Sequence, residues 1–173
     1  DLSQYFIERI SRFISSKNIQ VAGWSDGLSH VNPSNMPANV QANAWTPLFW
    51  DGHKVAHTMA NQGWEVVLSL PDVTYFDFPY EADPKERGYY WATRATDTRK
   101  MFGFAPENLP QNAETSFDRD GNGFSGKGEI EAKPFYGLSA QLWSETVRND
   151  EQYQYMVFPR VLAAAERAWE PAP

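Results

Sequence analysis

Apolar residues recur at helical spacing over the first seventeen positions. Leu2, Phe6, Ile10, Phe13 and Ile14 hold that spacing, with Glu8, Arg9 and Arg12 between them. The pattern predicts a helix over 1–17, with Asn18 as its stop. Ile19, Gln20, Val21 and Ala22 form a short, mainly apolar run that ends in Gly23-Trp24. It reads as a buried strand. Ser, Asn and Pro crowd positions 25–37 and predict a loop. Residues 39–45 alternate as a strand does, ending at Trp45. Residues 51–61 predict a helix anchored by Val55 and Met59, with Gly63 beyond its end. The run from Glu65 to Leu70 is the most strand-like in the chain. A long irregular stretch follows over 71–134, with a helix predicted around Thr93 to Met101. Tyr136 to Trp143 predicts a final strand. The last helix starts near Asn149, where Asn149 and Gln152 fit a capping box. It runs through Val161 to Trp169, and Pro159 kinks or splits it.

The order is therefore helix, strand, strand-helix, strand with a long excursion, strand-helix. Buried strands alternating with helices imply an α/β fold on a parallel sheet. About four strands fit a small open sheet, and they fit half of an eight-stranded barrel equally well. In a parallel barrel the functional residues gather at the C-terminal ends of the strands. The expected strands here end on Trp24, Trp45 and Trp143, and the third runs on into Tyr75-Phe76-Asp77. Core packing does not require such a series at equivalent positions. An aromatic cage with a few carboxylates at one mouth of the sheet suits a pyranose ring.

Composition narrows the choice. With 173 residues, 42% hydrophobic and 21% charged, the chain can bury a real core. A net charge of −7 with no basic run argues against nucleic acid. The absence of cysteine excludes disulfides, thiolate metal sites and cysteine nucleophiles. No apolar stretch reaches the length of a membrane span. No signal peptide is visible, and a chain that opens directly in an amphipathic helix is expected to be a piece of something longer. Aromatic residues reach 15%, seven of them Trp. For any single Trp the core is the ordinary place; seven in an acidic chain point to some lining a surface.

Three runs carry a resemblance to a known family. They are Tyr75-Phe76-Asp77-Phe78-Pro79-Tyr80, Gly88-Tyr89-Tyr90-Trp91-Ala92, and Gly137 to Glu145 with its Leu142-Trp143-Ser144-Glu145 ending. Together with the Gly23-Trp24 and Ala44-Trp45 strand ends, they resemble glycoside hydrolase family 20, in particular its bacterial chitobiases. The resemblance covers essentially all of 1–173. The paired Tyr-x-Asp and Trp-x-Glu steps are its specific part.

The resemblance implies the C-terminal half of a (β/α)8 barrel, from helix 4 to helix 8. It also implies hydrolysis of terminal β-linked N-acetylglucosamine, as in chitobiose and related N-acetylhexosaminides. The mechanism implied is retaining and substrate-assisted: the acetamido oxygen of the sugar, not an enzymic group, attacks the anomeric carbon. By the same resemblance, Tyr75 orients the acetamido group. Trp24, Trp45 and Trp143 pack around that group and the ring, Asp77 and Glu145 take outer hydroxyls, and Trp91 offers a face to the next sugar. No cofactor and no metal are implied. The implied partners are N-acetylglucosamine-containing oligosaccharides and the missing N-terminal half of the barrel, and an exported, periplasmic or cell-surface location in a bacterium is implied too. The chain departs from the family in one respect. The family's general acid is a Glu directly after an Asp at the end of the fourth strand. The single Asp-Glu step here, Asp150-Glu151, opens the last helix, where acids favour the positive end of the helix dipole. The true pair is expected upstream of residue 1, which predicts that the isolated chain is inactive.

Other patterns weigh less. Asp118, Asp120, Asn122, Gly123 and Glu129 satisfy the calcium-loop pattern, but the flanks do not read as the two helices it needs. His53 and His57 stand at i and i+4 without a third ligand and read as solvated helix residues. Ser139 and Ser144 lack a nucleophile-elbow sequence. The alternative class is a non-catalytic carbohydrate-binding module. Such modules are mostly β-sandwiches, and the alternating strand and helix order disfavours one.

Overall fold

The computed structural model describes residues 1–109, 112 and 133–172. The calcium-loop pattern at 118–129 lies outside the described residues. Among the described residues, seven α-helices and four strands follow in the order α1 (Leu2–Ser15), β1 (Ala22–Trp24), α2 (Ser25–Leu28), β2 (Gln41–Ala44), α3 (Gly52–Gln62), β3 (Glu65–Leu68), α4 (Pro71–Thr74), α5 (Thr98–Phe102), β4 (Gly137–Leu138), α6 (Asp150–Val157) and α7 (Arg160–Trp169). The strands form one sheet in the order β1-β2-β3-β4. All three pairings are parallel, so sequential strands are spatial neighbours and their C-terminal ends share one edge.

β3 is the centre of the core. Val66, Val67, Leu68, Ser69 and Leu70 are all buried, as expected of a strand covered on both faces. Ala42 and Ala44 of β2 face the same cluster, with Ala56, Met59 and Ala60 of α3 packed over them. α3 ends on Gly63, whose φ of 102° closes the helix in the left-handed conformation that glycine adopts without strain.

Several boundaries differ from the sequence pattern. The first strand starts at Ala22, not Ile19, and is not buried: Ile19, Ala22 and Trp24 are exposed. β1 is an edge strand with a single neighbour, so only part of its surface is covered. α1 also turns a different face inward. Ile7, Ser11 and Ile14 meet the core, while Leu2, Phe6 and Phe13 are 86%, 65% and 58% exposed. The expected loop over 25–37 contains α2 and a 3-10 turn at Pro33–Asn35. The helix expected from Thr93 begins at Thr98, because Asp97 caps it by accepting from Lys100 N–H. The last strand is only Gly137–Leu138, extended by a bridge from Gln141 to Tyr75. Asn149 caps α6 as expected, and Pro159 splits the final helix in two.

Candidate active site

The four strand ends converge on one cavity of about 560 Å³. Trp24 closes β1, and Trp45 follows β2. β3 takes a longer route to the same mouth. Pro71 starts the single turn α4, and the chain then returns to extended geometry at Tyr75, which pairs with Gln141. The Phe76 amide donates to the Gln141 carbonyl at 2.7 Å, and the Gln141 amide to the Thr74 carbonyl at 3.0 Å. These bonds carry β3 and β4 past their last regular residues and set Tyr75, Asp77 and Trp143 side by side. Glu145 lies two residues beyond Trp143, and Trp91 comes in from the excursion after β3. All seven residues expected at the site line the cavity, and the structure adds Asp26 and Tyr89.

Neither addition was assigned from the sequence, though each left a signal. Asp26 stands two residues beyond the strand-ending Trp24. Tyr89 lies inside the 88–92 run, of which only Trp91 was assigned. Asp26 accepts a hydrogen bond from the Trp45 indole N–H at 2.8 Å, which fixes the orientation of that ring.

The aromatic rings form a connected wall. Trp143 lies 5.9 Å from both Trp24 and Tyr75, centroid to centroid. Trp91 meets Tyr75 edge-on at 6.4 Å and Trp45 edge-on at 6.3 Å. Trp91 also stacks on Trp50, with ring centroids 6.3 Å apart and planes 30° from parallel. Trp24 and Trp143 are 37% and 40% exposed, whereas Trp64, a core residue, is 6% exposed.

Two buried polar groups face this wall. Tyr75 is buried, and burial pushes its hydroxyl up to about 12. The hydroxyl therefore stays protonated across the working pH range. The nearby Trp143 side chain opposes the rise, and the charges of Asp77 and Asp26 add to it. The hydroxyl proton therefore remains available as a donor. Asp77 is also buried, and burial raises its carboxyl to about 6. Its own backbone amide and that of Trp143 work against the rise, Glu145 reinforces it, and Arg160 opposes it.

The excursion is fastened directly to Asp77. The Tyr89 amide donates to the Asp77 carbonyl at 2.9 Å. That approach depends on Gly88, whose φ is 133°; a Cβ there would lie 2.4 Å from the Asp77 carbonyl oxygen. Below the mouth, fully buried Asp72 accepts from the Leu48 amide at 2.9 Å and ties the loop after β2 to α4.

The remaining sequence patterns fall elsewhere. His53 and His57 are buried rather than solvated, because α3 turns that face toward the core. Among the described residues no group of three or more His, Cys, Asp or Glu side chains could hold a metal ion. Asp150 and Glu151 occupy the first turn of α6 and do not line the cavity. Among the described residues no helix is long and apolar enough to cross a membrane.

A parallel sheet whose strand ends meet in a cavity walled by Trp, with Tyr and Asp on its floor, is the construction of a (β/α)8 glycoside hydrolase rather than of a β-sandwich binding module. The family model described as "Glycosyl hydrolase family 20, catalytic domain" matches residues 1–172, and the chain belongs to that family. It is 63% identical over 174 residues to the N,N'-diacetylchitobiase of Vibrio harveyi, covering 99% of this chain and 20% of that protein. It is 51% identical over 172 residues to β-hexosaminidase B of Pseudoalteromonas piscicida, covering 97% of this chain and 22% of that protein. The chain thus spans about a fifth of the length of these curated relatives. Among solved structures, a family 20 exo-β-N-acetylglucosaminidase from Vibrio harveyi in complex with N-acetylglucosamine is similar in fold. Its TM-score is 0.72 at 24% identity, over 97% of this chain and 22% of that one. The family 20 β-N-acetylhexosaminidase of Streptomyces coelicolor A3(2) gives a TM-score of 0.70 at 26% identity, over 96% of this chain and 30% of that one.

Proposed function

We propose that the cavity is the sugar-binding wall of a β-N-acetylhexosaminidase and that the whole protein removes terminal non-reducing β-linked N-acetylglucosamine, as from chitobiose. The observation that carries this reading is the Tyr75 hydroxyl: buried, protonated, and set among Trp rings beside Asp77. A donor so arranged matches an amide carbonyl. Bound in this cage, the acetamido group would place its methyl against the rings and its oxygen at Tyr75.

The chemistry then runs through the substrate. The acetamido oxygen attacks the anomeric carbon from the face opposite the leaving group, giving an oxazolinium intermediate as the glycosidic bond breaks. Water opens that ring and returns the original anomeric configuration. Tyr75 restrains a flexible amide in the attacking pose, and orientation of this kind lowers the barrier by removing unproductive conformers. Asp77 and Glu145 would accept from outer hydroxyls, so that the pocket selects a chain end. Trp91 would stack on the sugar beyond the scissile bond. Protonation of the leaving oxygen falls to an Asp-Glu step of the whole protein, since Asp150-Glu151 does not line the cavity.

The test is Tyr75→Phe in the whole protein, assayed on p-nitrophenyl N-acetyl-β-glucosaminide. The ring and its packing survive, and only the donor is lost. A fall in kcat of about 10²-fold with little change in KM is expected, the cost of removing one positioned donor at a reacting oxygen. Wild-type kcat in the variant would count against the reading.

A further inference from the structure

Arg160 is the largest fully buried side chain in the described structure, and no described carboxylate lies within salt-bridge distance of it. An isolated buried cation is costly unless its donors are satisfied. Here they are met by backbone carbonyls. Nη1 donates to Phe78 at 2.7 Å and Thr96 at 2.9 Å, Nε to Met156 at 3.0 Å, and Nη2 to Phe76 and Met156. The guanidinium lies 4.0 Å from the centroid of the Tyr80 ring and 5.4 Å from that of Phe76. Tyr80 is itself pinned to the α6–α7 junction, its hydroxyl lying 2.9 Å from the Tyr155 carbonyl oxygen and 2.7 Å from that of Phe158.

The choice of carbonyls is informative. Phe76 and Phe78 flank Asp77. Gripping both fixes the 76–77 and 78–79 peptide planes, one on each side of the Asp77–Phe78 step, and the residue before the first is Tyr75. Thr96 belongs to the far end of the excursion that brings Trp91 to the pocket. One planar fork from the start of α7 therefore joins both segments that carry the floor of the site. A lysine could not do this, since an ammonium is a point donor without the rigid fork.

We propose that Arg160 is a positioning residue for the reaction, acting through the backbone of residues 76–78 to set Tyr75 and Asp77 in the sugar pocket. The proposal rests on the functional reading of that pocket given above. Arg160 does not line the cavity. Its charge also acts on Asp77 from behind, opposing the rise that burial and Glu145 impose. Asp77, Tyr80 and Tyr155 are the titratable groups that act on Arg160 itself.

The test uses Arg160→Lys and Arg160→Met in the whole protein, with p-nitrophenyl N-acetyl-β-glucosaminide as substrate. Both variants should lose kcat by about 10- to 100-fold, because small misplacement of reacting groups is costly. KM should change less. The acidic limb of the kcat/KM profile should move to higher pH in Arg160→Met, where the charge is gone, and stay in place in Arg160→Lys. A merely structural role would leave that limb unmoved in both. Folded variants with wild-type kcat and an unmoved limb overturn the proposal. Should neither variant fold, Tyr80→Leu removes the ring against the guanidinium and decides by kcat: a fall supports the proposal, and a wild-type value overturns it. A wild-type protein without turnover overturns the functional reading and this proposal with it, whereas wild-type turnover with unaffected variants overturns the positioning role alone.

Discussion

Tyr75 and Asp77 stand two residues apart on the pocket floor, and burial pushes both toward their neutral forms. The consequences differ. A hydroxyl raised to about 12 never ionises at working pH and remains a donor. A carboxyl raised to about 6 changes state within the working range. Above that value Asp77 is a carboxylate and can accept from two sugar hydroxyls; below it, one oxygen carries a proton and part of that capacity is lost. The proposed reading therefore predicts that kcat/KM falls as pH drops through about 6. Asp77→Asn should lower kcat/KM at neutral pH and abolish this limb. A pH–rate series on the whole protein checks both, and a limb that persists in the variant would assign it to another group. The raised value also has a cost for folding. An acid whose folded pKa lies above its unfolded one binds its proton more tightly when folded, so the folded state loses stability as pH rises from about 4 to about 6. On the proposed reading, function at neutral pH keeps a charge where the fold alone would not.

At the scale of elements, the site depends on irregular backbone more than on the strands themselves. β3 ends at Leu68, yet Tyr75 pairs with Gln141 after the intervening turn of α4. The excursion is then drawn onto Asp77 by the bond from the Tyr89 amide, across the gap that Gly88 leaves open. Gly88→Ala should pull that segment away, because a methyl meets backbone at 2.4 Å in a conformation disfavoured for L residues. The expected result is a loss of kcat/KM of about tenfold or more, within the range for small displacements of binding groups, with a lower melting temperature. Steady-state kinetics and thermal unfolding of the whole protein report it; unaltered values in both would place Gly88 outside the support of the site. This division also explains what the sequence could tell. The parallel order of strands was legible because β3 and β2 carry short apolar or alternating runs, and α3 because Gly63 marks its end. The course of 71–103 was not, since a turn, a glycine contact and an aspartate cap leave no period. The cage was legible as a series of strand-ending aromatics. Asp26 was not, because its link to Trp45 spans nineteen positions and follows no motif. α1 misled for a related reason: its apolar stripe is wider than the face the core takes up, and only contacts show which side turns inward.

At the scale of the molecule, the distribution of Trp is telling. One of the seven, Trp64, is buried; the four that line the cavity are half-buried or exposed. The chain spans about a fifth of its curated relatives, and its edge strand β1 and the outer face of α1 are open. On the proposed reading, its contribution is a wall that recognises an acetamido sugar and holds it in one pose. The central claim is that this pose makes the acetamido oxygen the nucleophile. The most direct measurement is a rate series in the whole protein with p-nitrophenyl β-glucosaminides whose N-acetyl methyl carries none, one, two or three fluorines. Each fluorine withdraws electrons from the carbonyl oxygen and weakens it as a nucleophile, while the leaving group stays the same. The account predicts a steep, progressive fall in kcat/KM across the series. Equal rates across it would mean that the acetamido group takes no part in bond making, and would contradict the account.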